Sequence, residues 1–254
     1  MNFIKKVYCR TYQTMLKMAL PILPYRKPQL FHAINELPQF LKQKDIHCIL
    51  LVTDKSVHHL GLTQPLEDLL HKEQINCELY DKTVANPTTE NVEEAKEQYL
   101  QKKCQAIIAF GGGSSMDCAK AVGARIVKPK QSLAQMKGIL KIHKKLPLLI
   151  AIPTTAGTGS ETTLSAVITD SKTRHKYPIN DFSLIPHYAV LDPEMTKTLP
   201  PTLTATTGMD ALTHAIEAYI GRSTTKETRK DALEAIQLIF ANIEQAYQNG
   251  QDSN

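Results

Sequence analysis

AIIAFGGGSSMDCAKAVGARIV, residues 106–127, reads as a strand, a glycine loop and a helix in direct succession. Residues 106–110 are apolar throughout, without the alternation of a half-exposed strand, as expected for a strand covered on both faces. Gly111, Gly112 and Gly113 permit positive φ and close approach of a ligand to the main chain. The helix from Ser114 onward offers unpaired N–H groups and the positive end of its dipole, which suits a pyrophosphate. Ser114 followed three residues later by Asp117 has the spacing of a capping box, which turns Asp117 toward the backbone. Lys120, one turn on, adds a positive charge near the phosphates. The competing reading is a tight turn with no ligand. The loop is neither a Walker loop nor a GxGxxG fingerprint.

The same alternation extends in both directions. Residues 48–53, 75–80 and 148–152 read as further buried strands, and 166–169 and 188–191 as candidates to join them. Helical patterns cover 66–72 and 89–102. The expected fold class is therefore α/β, a Rossmann-like parallel sheet with helices on both faces. After Pro200-Pro201 the character changes: residues 205–219 and 224–247 read as helices with no strand between them. The expected organisation is an N-terminal extension (1–27), a dinucleotide-binding α/β domain (28–199) and the start of an all-helical domain (200–254). Two helices bury little surface by themselves, so exposed apolar faces and poor solubility are expected there.

Three further places carry chemistry. Asp54 lies just past the first long strand, where a carboxylate can accept from a ribose 2′-OH and repel a 2′-phosphate; a helix N-cap explains it equally well. The turn after residue 152 has six hydroxyl or glycine residues among the seven from Thr154 to Ser160, more than a structural turn requires. Asp210 and His214 stand at i and i+4 on one helix face, close enough to share Fe(II) or Zn(II). An Asp–His hydrogen bond is the plainer reading, and two ligands are too few for tight binding. The remaining histidines read as surface residues.

Composition narrows the class. The chain has 254 residues, 42% hydrophobic and 22% charged, with a net charge of +5 spread over scattered lysines; with no basic patch or nucleic-acid motif, this argues for a solvated surface and against nucleic-acid binding. No apolar run is long enough to span a bilayer. The N-terminal 25 residues read as a short amphipathic helix, with weak membrane-surface contact as the alternative. Five cysteines without a CxxC pair indicate free thiols in a cytoplasmic protein.

Four motifs occur in order: GGGSSMDCAK at 111–120, IPTTAGTGSE at 152–161, LDP at 191–193 and TGMDALTHAIE at 207–217. Together they resemble the iron-containing alcohol dehydrogenases, which share a fold with glycerol dehydrogenase and dehydroquinate synthase. The resemblance covers about residues 28–247 and implies an NAD-dependent, metal-dependent oxidoreductase interconverting a small alcohol and its aldehyde or ketone. It places Asp54 at the adenosine ribose; Gly112, Gly113, Ser114 and Ser115 at the pyrophosphate; Asp117 in support of that loop; and Asn86, Thr154, Thr155, Thr158 and Lys176 near the cofactor. Asp210 and His214 become two of four ligands to Fe(II), or to Zn(II). The family's other two ligands are histidines of a later helical segment, which this sequence does not contain, so little activity is expected of the 254 residues alone. A homodimer or a separately encoded C-terminal piece is the expected partner. A non-catalytic NAD-binding module, and a polyol dehydrogenase or sugar-phosphate lyase of the same fold, are the alternatives.

Overall fold

The computed structural model describes residues 7–11, 14, 15, 18 and 23–252. The amphipathic helix expected in the first 25 residues falls largely outside them; residues 7–11, 14, 15 and 18 are helical and exposed. The chain divides into two compact units, one of residues 26–155 and 159–198, the other of residues 1–25, 156–158 and 199–254.

The first unit is an α/β layer structure. Its main sheet contains β1 (Gln29–Phe31), β2 (Cys48–Val52), β3 (Asn76–Tyr80), β4 (Ala106–Gly111), β6 (Leu148–Pro153) and β9 (Tyr188–Val190), in the order β1-β9-β6-β4-β2-β3. Every pairing in it is parallel. Every residue of β2 and β4 is buried, because alternate side chains enter two separate cores. Leu50, Val52, Ile107 and Ala109 pack on one face with Val92 and Ala95 of α4 (Thr89–Gln101) and Ala119 and Val122 of α5 (Gly113–Val127). Ile49, Leu51, Ile108 and Phe110 pack on the other with Leu37 and Leu41 of α1 (Leu37–Gln43) and Leu66 and Leu70 of α3 (Gln64–Lys72). The short α2 (Lys55–His59) and α6 (Leu133–Met136) complete the helices of this unit.

A second sheet holds β5 (Gly138–Ile139), β7 (Ser165–Thr169) and β8 (Lys176–Asn180), in the order β5-β8-β7. Residues 166–169 therefore do not extend the parallel sheet; they pair antiparallel with β8. The burial of β7 and β8 alternates, as it must when only one face of a pair is covered.

The strand order fixes where a ligand can bind. From β2 the chain passes to β3 on one side and then to β4 on the other. The crevice beyond the C-terminal ends of β2 and β4 is thus the point where the winding reverses, the usual ligand position in open parallel sheets. β6 lies beside β4, with Pro153 opposite Gly111, so its end opens onto the same edge.

The second unit contains α7 (Pro201–Ile220) and α8 (Lys226–Gln248). α7 begins four residues before the expected start, because Pro201 occupies the first helical position, where its missing N–H costs nothing. Thr225 caps α8 by accepting from the Thr228 N–H at 3.0 Å. The two helices pack closely at Gly208, where a Cβ would stand 2.8 Å from Ile243 Cδ1. Leu212, Ala215 and Ala232 are the buried residues of the pair, whereas Met209, Ile216, Tyr219, Leu238 and Phe240 are exposed. Among the described residues no helix is long and apolar enough to cross a membrane.

Candidate functional site

Asp54 follows the end of β2 in extended conformation and caps α2: its Oδ1 accepts from the N–H groups of Ser56 at 2.9 Å and Val57 at 3.0 Å. The second carboxylate oxygen looks the other way, 3.7 Å from the position a Cβ on Gly111 would take. The N-cap reading of Asp54 holds, and it uses only Oδ1.

Gly111, the last residue of β4, has φ = +141°, a conformation closed to ordinary side chains. Gly112 is the N-cap of α5 and supplies no side-chain acceptor. The capping box expected from Ser114 and Asp117 does not form. α5 starts at Gly113, two residues earlier than that pattern requires, so Ser114 is already helical. Its Oγ accepts instead from the Asn86 N–H at 3.2 Å. Asp117 turns toward the segment after the threonine turn, where Oδ1 accepts from Ser160 Oγ and Oδ2 from the Val167 N–H, both at 3.0 Å. Burial raises its pKa, opposed by the nearby Lys120 ammonium and these two hydrogen bonds.

Thr154 is buried beyond β6 and its N–H donates to the Gly111 carbonyl at 3.1 Å. Thr155 approaches Gly112, its Oγ1 lying 3.5 Å from where a Cβ there would be. Asn86 is exposed, holds φ = +58° and accepts at Oδ1 from Lys176, the first residue of β8. The α/β unit therefore brings Asp54, Asn86, Gly111–Ser115, Asp117, Thr154, Thr155 and Lys176 to one edge. Thr158 is grouped with the helical unit.

The edge fits a phosphate-bearing nucleotide. Ser115 Oγ and Thr53 Oγ1 are buried with no hydrogen-bond partner, which is costly unless a ligand supplies one. The amides at the N-terminus of α5 carry no side-chain cap, and of the residues gathered at this edge only Asp54 and Asp117 are acidic.

On α7, His214 Nε2 and Asp210 Oδ1 lie 3.7 Å apart, beyond a hydrogen bond, with both side chains about half exposed. The pair shares one helix face, as its spacing requires. Among the described residues no group of three or more His, Cys, Asp or Glu side chains could hold a metal ion. The residues present supply two donors and do not by themselves make a metal site.

Two histidine and lysine positions differ from the sequence reading. His187 is not a surface residue: its Nδ1 accepts from the Leu149 N–H at 3.1 Å, and desolvation, with Arg26 and Lys145 nearby, lowers its pKa to about 4. Lys120 does not face the loop; it is fully buried and bonded to the segment after the threonine turn. A signal for that was present in Cys118-Ala-Lys-Ala-Val122, where a lysine sits in an otherwise small and apolar helix. Ser160 and Thr53, also missed individually, carry no distinguishing sequence feature.

Comparison with known proteins places the chain. Residues 29–193 match the pattern of the iron-containing alcohol dehydrogenases, and residues 204–254 match the C-terminal part of the Fe-containing alcohol dehydrogenase family. The chain belongs to the iron-containing alcohol dehydrogenase family. It is 37% identical to the NAD-dependent methanol dehydrogenase of Bacillus methanolicus over 220 residues, 87% of this chain and 58% of that one. It is also 37% identical over 246 residues to alcohol dehydrogenase 4 of Schizosaccharomyces pombe, covering 95% of this chain and 58% of that one. Among solved structures, a 1,3-propanediol oxidoreductase superposes with a TM-score of 0.85 at 33% identity, over 90% of this chain and 61% of the other. The chain thus spans about 58% of the length of the curated relatives it matches.

Proposed function

We propose that this chain is the NAD-binding portion of an alcohol dehydrogenase that interconverts a small alcohol and its aldehyde or ketone by hydride transfer. The observation that carries the reading is the convergence of Asp54, the Gly111–Ser115 loop and Thr154 at the switch point of a parallel sheet. In this reading residues 28–199 are the dinucleotide-binding domain, residues 200–254 belong to the metal-binding helical domain, and residues 1–27 are an extension.

Each residue then has a role of its own. The α5 amides and the Ser114 and Ser115 hydroxyls hold the pyrophosphate. Asp54 accepts from the adenosine ribose and disfavours a 2′-phosphate. Thr154, Thr155 and Thr158 contribute small hydroxyls toward the cofactor. Lys176 holds Asn86 beside the loop. NAD, when bound, supplies the hydride acceptor and the protein supplies its position. Asp210 and His214 provide one oxygen and one nitrogen donor toward Fe(II) or Zn(II). These two donors by themselves leave the metal site unformed. Free thiols at all five cysteines fit a cytoplasmic setting.

The two-donor pair also favours a second reading, a module that binds NAD without metal and does no chemistry. The test is NADH formation from short-chain primary alcohols, followed at 340 nm with and without added Fe(II), on the protein isolated from its source cell. An Fe(II)-dependent rate supports the dehydrogenase. NADH binding with no rate under any condition supports the module instead.

A further inference from the structure

Lys120 is fully buried in the α/β unit, with no exposed surface. It lies on α5, one turn beyond Asp117. Its three N–H donors have four acceptors within hydrogen-bond distance: Ser160 Oγ at 3.0 Å, Thr163 Oγ1 at 2.9 Å and the carbonyls of Thr163 at 3.1 Å and Ser165 at 2.9 Å. Ser160 Oγ in turn donates to Asp117 Oδ1 at 3.0 Å. Carboxylate, hydroxyl and ammonium therefore form one chain, tying the start of α5 to residues 160–165.

A buried lysine is a costly way to pack a helix, since an apolar side chain of the same length fills the volume without desolvating a charge. Its position suggests what it does. Asp117 lies within the first two turns of α5, so its negative charge stands close behind the amides that face the glycine loop. Uncompensated, that charge would oppose any anion bound there. Lys120 is the cation joined to it through Ser160.

We propose that Lys120 is a positioning residue of the cofactor cradle: it offsets the Asp117 carboxylate through Ser160 and clamps residues 160–165 to α5, so that the N-terminus of α5 accepts an anionic dinucleotide. The proposal rests on reading that edge as the NAD site.

The cradle then depends on pH. The groups facing Lys120 are Asp117 from α5 and Glu161 from the 160–162 turn, and Lys176 of β8 faces Asp117. Burial lowers the Lys120 pKa to about 8, with Asp117 and Glu161 opposing the shift. Above that pH the ammonium loses its charge, Asp117 loses its compensation, and dinucleotide affinity falls.

The experiment is a fluorescence titration with NADH of the full 254-residue chain and of its Lys120→Met, Lys120→Arg and Ser160→Ala variants, between pH 7 and pH 10. Wild-type Kd is expected to rise about tenfold across the range, a change of about 1.4 kcal/mol. Lys120→Met is expected to bind about tenfold more weakly at pH 7 with no pH dependence. Lys120→Arg, which keeps its charge, restores affinity and flattens the profile. Ser160→Ala weakens binding and keeps the protein usable if Lys120→Met fails to fold. A pH-independent wild-type Kd, or wild-type affinity in folded Lys120→Met, overturns the proposal while leaving the NAD reading intact. Absence of NADH binding by the wild type at every pH overturns the NAD reading, and this proposal with it.

Discussion

A Cβ placed on Gly111 would stand 2.6 Å from Ser115 Oγ and 3.0 Å from Ser115 Cβ. The glycine loop is therefore closed by its own helix, and the backbone reaches that closure only through φ = +141° at Gly111. Gly111→Ala combines a forbidden backbone with a steric clash. It should lower stability by about 2–4 kcal/mol, measured by urea denaturation, and remove NADH binding. Adding Ser115→Gly relieves the contact but not the backbone, so the double variant should regain only part of the loss.

Asp54 caps α2 through Oδ1 and, in the proposed NAD site, is the acceptor for the adenosine ribose; substitution separates the two roles. Asn caps helices as well as Asp, so Asp54→Asn should melt within a degree or two of wild type. It lacks the charge that repels a 2′-phosphate, so the preference for NADH over NADPH should shrink by about tenfold. Asp54→Ala should lose the same discrimination and, in addition, about 1 kcal/mol of stability. Paired titrations with NADH and NADPH, alongside thermal melts, check both.

His187 sets an acid limit. Desolvation first, then Arg26 and Lys145, lowers its folded pKa to about 4, while the unfolded side chain takes up a proton near 6.5. Between those values the unfolded chain binds more protons, so this group's contribution is fully present above pH 6.5 and is lost as pH falls toward 4. Tm should drop by about 5 °C over that window. His187→Asn, which keeps an acceptor for the Leu149 N–H, should lose most of that slope. An imidazole NMR titration of His187 with a midpoint near 6.5 would refute the assignment.

In the proposed function, Asp210 and His214 offer a metal only one oxygen and one nitrogen. A polypeptide of these 254 residues should therefore retain little Fe(II) or Zn(II) after gel filtration, with Kd weaker than about 10 μM. Metal content by mass spectrometry tests this. Stoichiometric metal that resists a chelator would mean that further donors join the pair. The exposed Met209, Ile216, Tyr219, Leu238 and Phe240 should also bind a hydrophobic dye, as an unpartnered apolar face does.

The parts of the molecule with one-dimensional signals were readable from the sequence. β2, β4 and β6 are unbroken apolar runs because they are buried on both faces, and the helices between them have clear periodicity. β1 has three residues and β8 carries Pro178, so neither has a run long enough to register. β7 resembled a sheet strand in composition, and only its pairing shows that it belongs elsewhere. At the site, the glycine loop and Asp54 stand at strand ends, which a sequence locates well. The Asp117–Ser160–Lys120 chain joins residues 43 and 40 positions apart, a separation that no local pattern encodes. The supposed Ser114–Asp117 capping box illustrates the converse: the spacing was right, but a helix start two residues earlier assigned both side chains other partners.

Calorimetric titration of NADH into the 254-residue chain at pH 7, with ADP-ribose as competitor, bears most directly on the NAD cradle. One saturable site is predicted, displaced by ADP-ribose and absent in Gly111→Ala. No binding, or binding indifferent to both ADP-ribose and Gly111→Ala, would contradict it.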